Sequence, residues 1–351
     1  MLINLILIAC GFALLIAGAN ALVDGACGIA RRLGLPDRVT GLTVVAVGTA
    51  APELVVGITS ALEGHADMAF GNVAGSCLAN LLLILGLSAT ITPLALGRRT
   101  VRFEIPASLA AIGALVAFAN TGGALTALEG AVLLAGFIAF MACTVRAGLK
   151  EGAASAESGL ASAADAESGA GAAPAAAEAA PAADDGLDAL GRIKAVAGAL
   201  AAHPLGAALF IAGGIALLKV GADLVITHSV AVASAVGISE RVIGITVIAL
   251  GTCLPELITS VVAAFRGNTD LAVGNVVGSN VTNVLLVMGA PALVATVPYG
   301  ASYNLDFGLL ALFTAVLAGF AHTGARGRMS RAGGGVFVVL YAAYLGLALI
   351  V

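Results

Sequence analysis

The chain carries one sequence pattern twice, and each copy places an acidic residue inside an apolar segment long enough to cross a lipid bilayer. Residues 41–86 and residues 244–289 match without a gap at a constant offset of 203 residues. The acids are Glu53 and Glu256. A carboxylate in the hydrocarbon region costs a few kcal/mol, so such residues are usually functional. Two of them at matching places in duplicated halves predict a cation site between two repeats.

The composition indicates an integral membrane protein made of helices. The chain is 60% hydrophobic and 10% charged, with a mean hydropathy of +1.08, which lies far outside the range of soluble domains. We expect the lipid bilayer as its main partner, with no nucleic acid and no obligatory protein partner. The five cysteines lack metal-ligand spacing, so we predict neither a zinc site nor disulfides, and no cofactor.

Ten membrane spans are predicted from the apolar stretches. The first and the sixth are too long for an upright helix, so we expect them to lie tilted around the outside of the bundle. The predicted spans are 2–30, 40–62, 69–95, 102–120, 125–147, 200–234, 241–264, 271–297, 304–322 and 333–351.

The repeat comprises five spans, and this odd number fixes the relation between its copies. A second copy must enter the membrane from the opposite face, so the two halves are inverted. The predicted fold is therefore all-α, with ten transmembrane helices in two inverted repeats. Residues 1–149 form the first repeat and residues 197–351 the second. Residues 150–196, rich in Ala and acids, are predicted to be a disordered linker.

Basic residues predict the orientation in the membrane. Fourteen Lys and Arg residues fall in the linker and the other loops of one face, and only Arg241 falls on the opposite face. The positive-inside rule places the arginine-rich face in the cytoplasm. We therefore expect an inner (plasma) membrane protein with both termini outside and the linker in the cytoplasm.

Each acid ends a Gly-Thr-x-x-Pro-Glu motif near the middle of the second or seventh span. Because proline lacks an N–H and its ring clashes with the carbonyl four residues back, it frees backbone carbonyls in mid-membrane. Thr49 and Glu53 are four residues apart, as are Thr252 and Glu256, so hydroxyl and carboxylate share a helix face. Hard cations such as Ca²⁺ prefer oxygen ligands of these kinds.

The third and eighth spans each carry a stripe of polar side chains at four-residue spacing. Hydrogen bonds that merely hold helices together are the alternative explanation for either stripe alone. Beside two kinked acidic helices, we predict that both stripes contribute to the cation site. The stripes are Asn72, Ser76, Asn80 and Asn275, Ser279, Asn283.

The charge of the two acids suggests a mechanism. Two ionised glutamates give a charge of −2, which one Ca²⁺ neutralises, and monovalent cations or protons can neutralise the same groups. A site that changes faces only when neutralised, and that accepts either kind of ion, is an antiporter. Ion exchange is therefore our hypothesis.

The motif pairs GTAAPE…GNVAGSCLAN and GTCLPE…GNVVGSNVTN resemble the repeats of the sodium/calcium exchanger branch of the cation/calcium antiporters. The resemblance covers both halves of the chain. It implies a ten-helix fold that exchanges cytoplasmic Ca²⁺ for external cations, with alternating access by sliding of the first and sixth helices. It also implies that the motif residues hold Ca²⁺ and that the polar stripes flank it, namely Thr49, Glu53, Thr252 and Glu256 with Asn72, Ser76, Asn80, Asn275, Ser279 and Asn283.

Three positions depart from the pattern of sodium-coupled members. Ala50 and Cys253 stand where these commonly have Ser, and Asn283 stands where many have Asp. Exchange of Ca²⁺ for Na⁺ is the predicted function, and exchange for H⁺ is the alternative. A passive cation channel is less favoured, and so is an intramembrane hydrolase, because no hydrolase motif is present. We therefore predict that the protein is not an enzyme.

Overall fold

The computed structural model describes residues 1–168, 203–235, 249–323 and 327–350. Within them the chain is almost entirely helical. The helices are α1 (Leu2–Leu33), α2 (Asp37–Thr49), α3 (Ala51–Leu62), α4 (Ala66–Ile91), α5 (Thr100–Gly122), α6 (Ala127–Ser168), α7 (Pro204–Ala235), α8 (Ala249–Thr252), α9 (Leu254–Phe265), α10 (Thr269–Val294), α11 (Tyr303–Thr323) and α12 (Arg331–Ile350). The strands are β1 (Leu94–Ala95), β2 (Ala124–Leu125), β3 (Val297–Pro298) and β4 (Arg328–Met329).

Seven helices in the described part of the chain are long and apolar enough to cross a membrane. The number is eight if α2 and α3, which are bent by 44°, form one broken span. The other two apolar helices, α9 and α12, are shorter, and residues 236–248 before α8 lie outside the described ranges. The all-helical prediction is confirmed, whereas the number of ten spans stays a prediction.

The two long helices predicted as the first and sixth spans, α1 and α7, pack against each other. α1 and α7 have 32 residues each, or about 48 Å at 1.5 Å per residue, against a hydrocarbon core of about 30 Å. Their backbones touch because glycines face each other: a Cβ on Gly18 would lie 2.8 Å from the Gly214 carbonyl oxygen, and one on Gly11 would lie 2.9 Å from that of Gly221. Small residues permit this approach in the membrane.

The two helices that carry the polar stripes form the centre of the bundle. In the most apolar 18-residue window of α10, 94% of the residues are buried, and the share for α4 is 72%. In the other five long apolar helices the share is at most 33%. Both helices are rich in Gly, Ala, Ser and Asn, and these small side chains let neighbouring helices pack closely on every side. The polar stripes are therefore interior features.

Two short strand pairs connect the halves of the chain symmetrically. β1, which follows α4, pairs antiparallel with β4, which precedes α12. β3, which follows α10, pairs antiparallel with β2, which precedes α6. β1 and β3 are related by the same 203-residue offset as the sequence repeat. Each strand pair thus joins one strand from the first half of the chain to one strand from the second half.

The fifth predicted span continues beyond its expected end. α6 runs to Ser168, so the predicted linker begins as a continuation of this helix, consistent with the high helix propensity of alanine. Residues 169–202, which include the remainder of the predicted linker (169–196), lie outside the described part of the chain.

The contact between α1 and α7 generates a stability prediction. A Cβ on Gly214 would lie 2.6 Å from the Leu22 backbone nitrogen, and that backbone cannot move aside without separating the helices. We expect Gly214→Leu to destabilise the purified protein by about 1–3 kcal/mol or more, as overpacking does, measured as a lower midpoint of thermal unfolding in detergent. The neighbouring Gly213→Leu is the matched control, because no described atom lies within 4 Å of its Cβ position. Equal midpoints for the two variants would contradict the packing argument.

Candidate cation site

The two Gly-Thr-x-x-Pro-Glu motifs break their helices at equivalent residues. Ala50 has φ −77° and ψ 3°, and Cys253 has φ −84° and ψ 1°. Each precedes a short helix with proline in its first turn, where the missing N–H of proline leaves no helical bond unmade. Glu53 and Glu256 therefore lie in the first turn of α3 and α9, just after the break.

Both glutamates are fully buried, and their carboxylates have no hydrogen-bond partner among the described residues. Glu53 and Glu256 are each 0% exposed, and none of their four carboxylate oxygens accepts a hydrogen bond from a described residue. The two groups are close enough to interact electrostatically, and the Thr49 hydroxyl lies near Glu256 without reaching hydrogen-bond geometry. A buried pair of carboxylates without partners is strongly unfavourable, so the site requires a cation or protons.

A chain of polar contacts joins the kinked helix of one half to the stripe of the other. The Thr49 hydroxyl donates to the Val45 carbonyl oxygen of its own helix at 3.1 Å and approaches the Asn275 side-chain oxygen at 3.5 Å. The Asn275 amide donates to Ser260 Oγ at 2.8 Å and approaches the Glu256 carbonyl oxygen at 3.5 Å. Asn275 is thus held beside both acidic motifs.

A second contact lies where equivalent residues of the two halves meet. Asn280 and Cys77 are 203 residues apart, and the Asn280 amide donates to the Cys77 carbonyl oxygen at 3.1 Å. The Asn80 amide donates to the Asn280 side-chain oxygen at 3.2 Å. The central helices α4 and α10 therefore cross at matching positions.

The ten residues singled out in the sequence differ in burial. Eight are buried, namely Thr49, Glu53, Ser76, Asn80, Glu256, Asn275, Ser279 and Asn283. Asn72 and Thr252 are half-buried. The hydroxyls of Ser76 and Ser279 and both side-chain polar atoms of Asn283 have no hydrogen-bond partner among the described residues.

Two buried polar residues of this region were missed by the sequence analysis. Ser260 lies four residues after Glu256 on the same helix face, but its equivalent in the first half is Gly57. Asn280 is equivalent to Cys77. A search for matched polar residues overlooks both, whereas four-residue spacing from Glu256 would have found Ser260.

The two sides of the site are packed differently. A Cβ on Gly278 would lie 2.7 Å from the Leu42 Cα and 2.8 Å from the Ala46 Cβ, so α10 is tightly packed on α2. Gly75 is the equivalent of Gly278, and Ala249 that of Ala46, yet no described atom lies within 4 Å of a Cβ position on Gly75. α10 is therefore packed closely on α2, which begins at the arginine-rich face, whereas Gly75 of α4 has no comparable contact with Ala249; the counterpart of Leu42 lies among residues 236–248, outside the described ranges.

Broken helices that bring charged groups and unpartnered oxygens to the centre of a membrane bundle define a secondary transporter for cations. The sequence profile of the family described as "Sodium/calcium exchanger protein" matches residues 3–146 and 206–350. The chain therefore belongs to the sodium/calcium exchanger family, as its motifs predicted, and is a multi-pass membrane transporter of the cation/calcium antiporter type.

Individual relatives agree with this assignment. The sodium/calcium exchanger MaX1 of Methanosarcina acetivorans is 32% identical over 307 residues, covering 83% of each chain. The inner membrane protein YrbG of Escherichia coli is 28% identical over 319 residues, covering 91% of this chain and 88% of YrbG. The structure of the sodium-calcium exchanger NCX_Mj, soaked with 2.5 mM Na⁺ and 0.1 mM Ca²⁺, superposes with a TM-score of 0.75 at 26% identity, covering 99% and 98%. The matched exchangers are transporters rather than enzymes.

The unequal packing predicts unequal access to equivalent residues. In a cysteine-free background, we expect Asn72→Cys to react faster than Asn275→Cys with a membrane-impermeant thiol reagent applied from the face opposite the arginines. Asn72 is half-buried, whereas Asn275 is 0% exposed. Labelling rates in vesicles of both orientations measure this difference. Equal rates, or faster labelling of Asn275→Cys, would contradict the packing asymmetry.

Proposed function

We propose that the protein exchanges Ca²⁺ for Na⁺ across the membrane by alternating access and so extrudes Ca²⁺ from the cell. The observation that carries the proposal is the pair of fully buried glutamates whose four carboxylate oxygens have no hydrogen-bond partner among the described residues. Their combined charge of −2 matches one Ca²⁺. The similarity to relatives named as sodium/calcium exchangers supports Na⁺ and Ca²⁺ as the two exchanged ions.

In this proposal the motif residues hold the transported ion directly. Glu53 and Glu256 supply the charge, and Thr49 and Thr252 supply hydroxyl oxygens beside them. The two polar stripes provide amide and hydroxyl oxygens for Ca²⁺ or for Na⁺ in neighbouring positions. The oxygen-only ligand set fits hard cations, and Ca²⁺ takes six to eight such ligands in flexible geometry.

The architecture we propose around this site is ten spans in two inverted repeats. Residues 1–149 and 197–351 are the repeats, and residues 150–196 are a cytoplasmic linker. The crossed strand pairs and the meeting of Cys77 with Asn280 support an approximate two-fold relation. The excess of basic residues on one face supports an inner-membrane protein with both termini outside.

Alternating access follows from the difference between the halves. If the close contact of α10 with α2 loosens while its counterpart between α4 and the α8 region tightens, the site opens to the other face. α1 and α7 pack against each other along their glycines, and we propose that they slide as a unit during this exchange.

Exchange of Ca²⁺ for H⁺ is the second candidate, and the departures from the sodium-coupled pattern favour it. Ala50 and Cys253, at the two helix breaks, are 1% and 2% exposed and offer no hydroxyl to a cation. Asn283 is neutral where an acid is common. If these positions are needed for Na⁺, a proton on Glu53 or Glu256 would take over the neutralisation.

The driving ion is identified by Ca²⁺ uptake into everted vesicles. We expect an outward-directed Na⁺ gradient at constant pH to drive uptake, because Na⁺ leaving the vesicle exchanges for Ca²⁺. Uptake that responds only to a pH gradient would establish the proton alternative. A Ca²⁺ flux that follows its own gradient and ignores both counter-ions would identify a channel and contradict antiport.

The two acids are tested in the same assay. We expect Glu53→Gln and Glu256→Gln each to reduce Ca²⁺ uptake to the background of vesicles without the protein, since a single remaining carboxylate leaves Ca²⁺ half neutralised in a low-dielectric site. Membrane content of each variant, measured by immunoblot, should match wild type. Glu63→Gln, at an exposed loop acid, is the control and should retain normal flux. Normal flux in either site variant would remove that glutamate from the mechanism.

A further inference from the structure

A long apolar groove separates α5 from α6 on the outer surface of the bundle. The cavity has a volume of about 380 Å³, and Leu285 of α10 contributes to its lining. Small side chains create the space: Ala107, Ala110, Ala111 and Ala114 on α5, with Gly136 and Ala139 on α6. The groove extends along α5 from Phe103 to Phe118, or about 22 Å at 1.5 Å per residue, which exceeds the depth of one leaflet in a core about 30 Å thick.

The groove is not required by the fold. In the second half of the chain, the helices equivalent to α5 and α6 are α11 and α12, and phenylalanines pack between them. Phe337 of α12 lies 6.5 Å from Phe313 and 5.5 Å from Phe320 of α11, measured between ring centroids. In the first half one such pair, Phe103 and Phe140, stacks between α5 and α6 at 6.0 Å between ring centroids, and alanines and a glycine line the rest of the groove. An opening toward the bilayer is therefore a property of this pair of helices.

Cationic side chains lie at the arginine-rich end of the groove. The Arg99 guanidinium lies 5.3 Å from the ring centroid of Phe103, and it donates to the Cys143 carbonyl oxygen at 3.2 Å. Phe103 and Cys143 are both lining residues of the groove. Arg146 lies three residues after Cys143, on the same face of α6. The Arg99 guanidinium also forms an ion pair with the Glu151 carboxylate at 3.2 Å.

Besides Arg99, three cations at this end are exposed and have no partner among the described side chains. Arg102, Arg146 and Lys150 form no ion pair or hydrogen bond with a described residue, although Arg99 is neutralised in part by Glu151 and Glu104. Among the described side chains, the groove mouth therefore carries an excess of positive charge. Basic pockets between transmembrane helices on such a face bind anionic headgroups.

We propose that this groove is a binding site for one anionic phospholipid. An acyl chain lies along the alanine-lined space between α5 and α6, and the headgroup phosphate lies at Arg146 beside Arg99. The apolar interior recognises the chain, and the excess of cations selects an anionic headgroup over a zwitterionic one. The site is remote from the acidic motifs and does not depend on which ion is exchanged.

The proposal is tested by native mass spectrometry of the full-length protein after reconstitution into vesicles of equal parts phosphatidylglycerol and phosphatidylcholine. We expect wild type to retain one phosphatidylglycerol per chain in preference to phosphatidylcholine. Gly136→Leu fills the groove and should lose this lipid, as should Arg146→Ala. Ala139→Leu, at an exposed lining position, makes the same test if Gly136→Leu does not fold.

Matched controls separate the site from general effects. Gly113→Leu adds the same side chain to α5 at an exposed position outside the groove, with no described atom within 4 Å of its Cβ position. Arg328→Ala removes an exposed arginine from the same face, away from the groove. Both should keep the bound phosphatidylglycerol. Equal retention in the groove variants and the controls, or no preference for phosphatidylglycerol over phosphatidylcholine, would overturn the proposal.

Discussion

The main physical constraint on this structure is the free-energy cost of burying two carboxylates that have no hydrogen-bond partner among the described residues. Glu53 and Glu256 are enclosed completely, yet no described group donates a hydrogen bond to their oxygens. An uncompensated buried charge is so unfavourable that the surroundings must supply a counter-charge or the group must take up a proton. A bundle that keeps two such groups is therefore built to be completed by ions, and its remaining features position and enclose that site.

Close helix packing is the means by which the bundle encloses the site. Glycines bring α1 against α7 and α10 against α2 at backbone contact, and the central helices are buried because their side chains are small. In lipid there is no hydrophobic driving force between helices, so association relies on this intimate packing and on polar contacts such as that of Asn275 with Ser260. The same small residues leave a groove wherever no larger side chain fills it, as between α5 and α6.

Duplication supplies two similar halves, but the packing of the two halves differs. Gly278 is pressed against α2, whereas Gly75 has no such neighbour among the described residues. Phe337 packs against Phe313 and Phe320 between α11 and α12, whereas alanines leave a groove between α5 and α6 beside the single Phe103–Phe140 contact. The duplication thus explains where equivalent elements lie in the two halves, but the side-chain packing differs between the halves.

The sequence by itself determined the membrane class, the repeat, the helix breaks and the two acids, because apolar length, the 203-residue offset and the chemistry of proline are local properties. It also predicted the family that the comparisons confirmed. Only the tertiary structure decided which polar groups have no partner among the described residues, that Ser260 and Asn280 lie beside the candidate site, and that α10 packs closely on α2. Those features depend on contacts between helices far apart in the chain, and a side chain's spacing along its own helix does not specify what it meets on another. The extension of α6 to Ser168 likewise follows alanine's helix propensity rather than the low hydrophobicity that predicted a linker there.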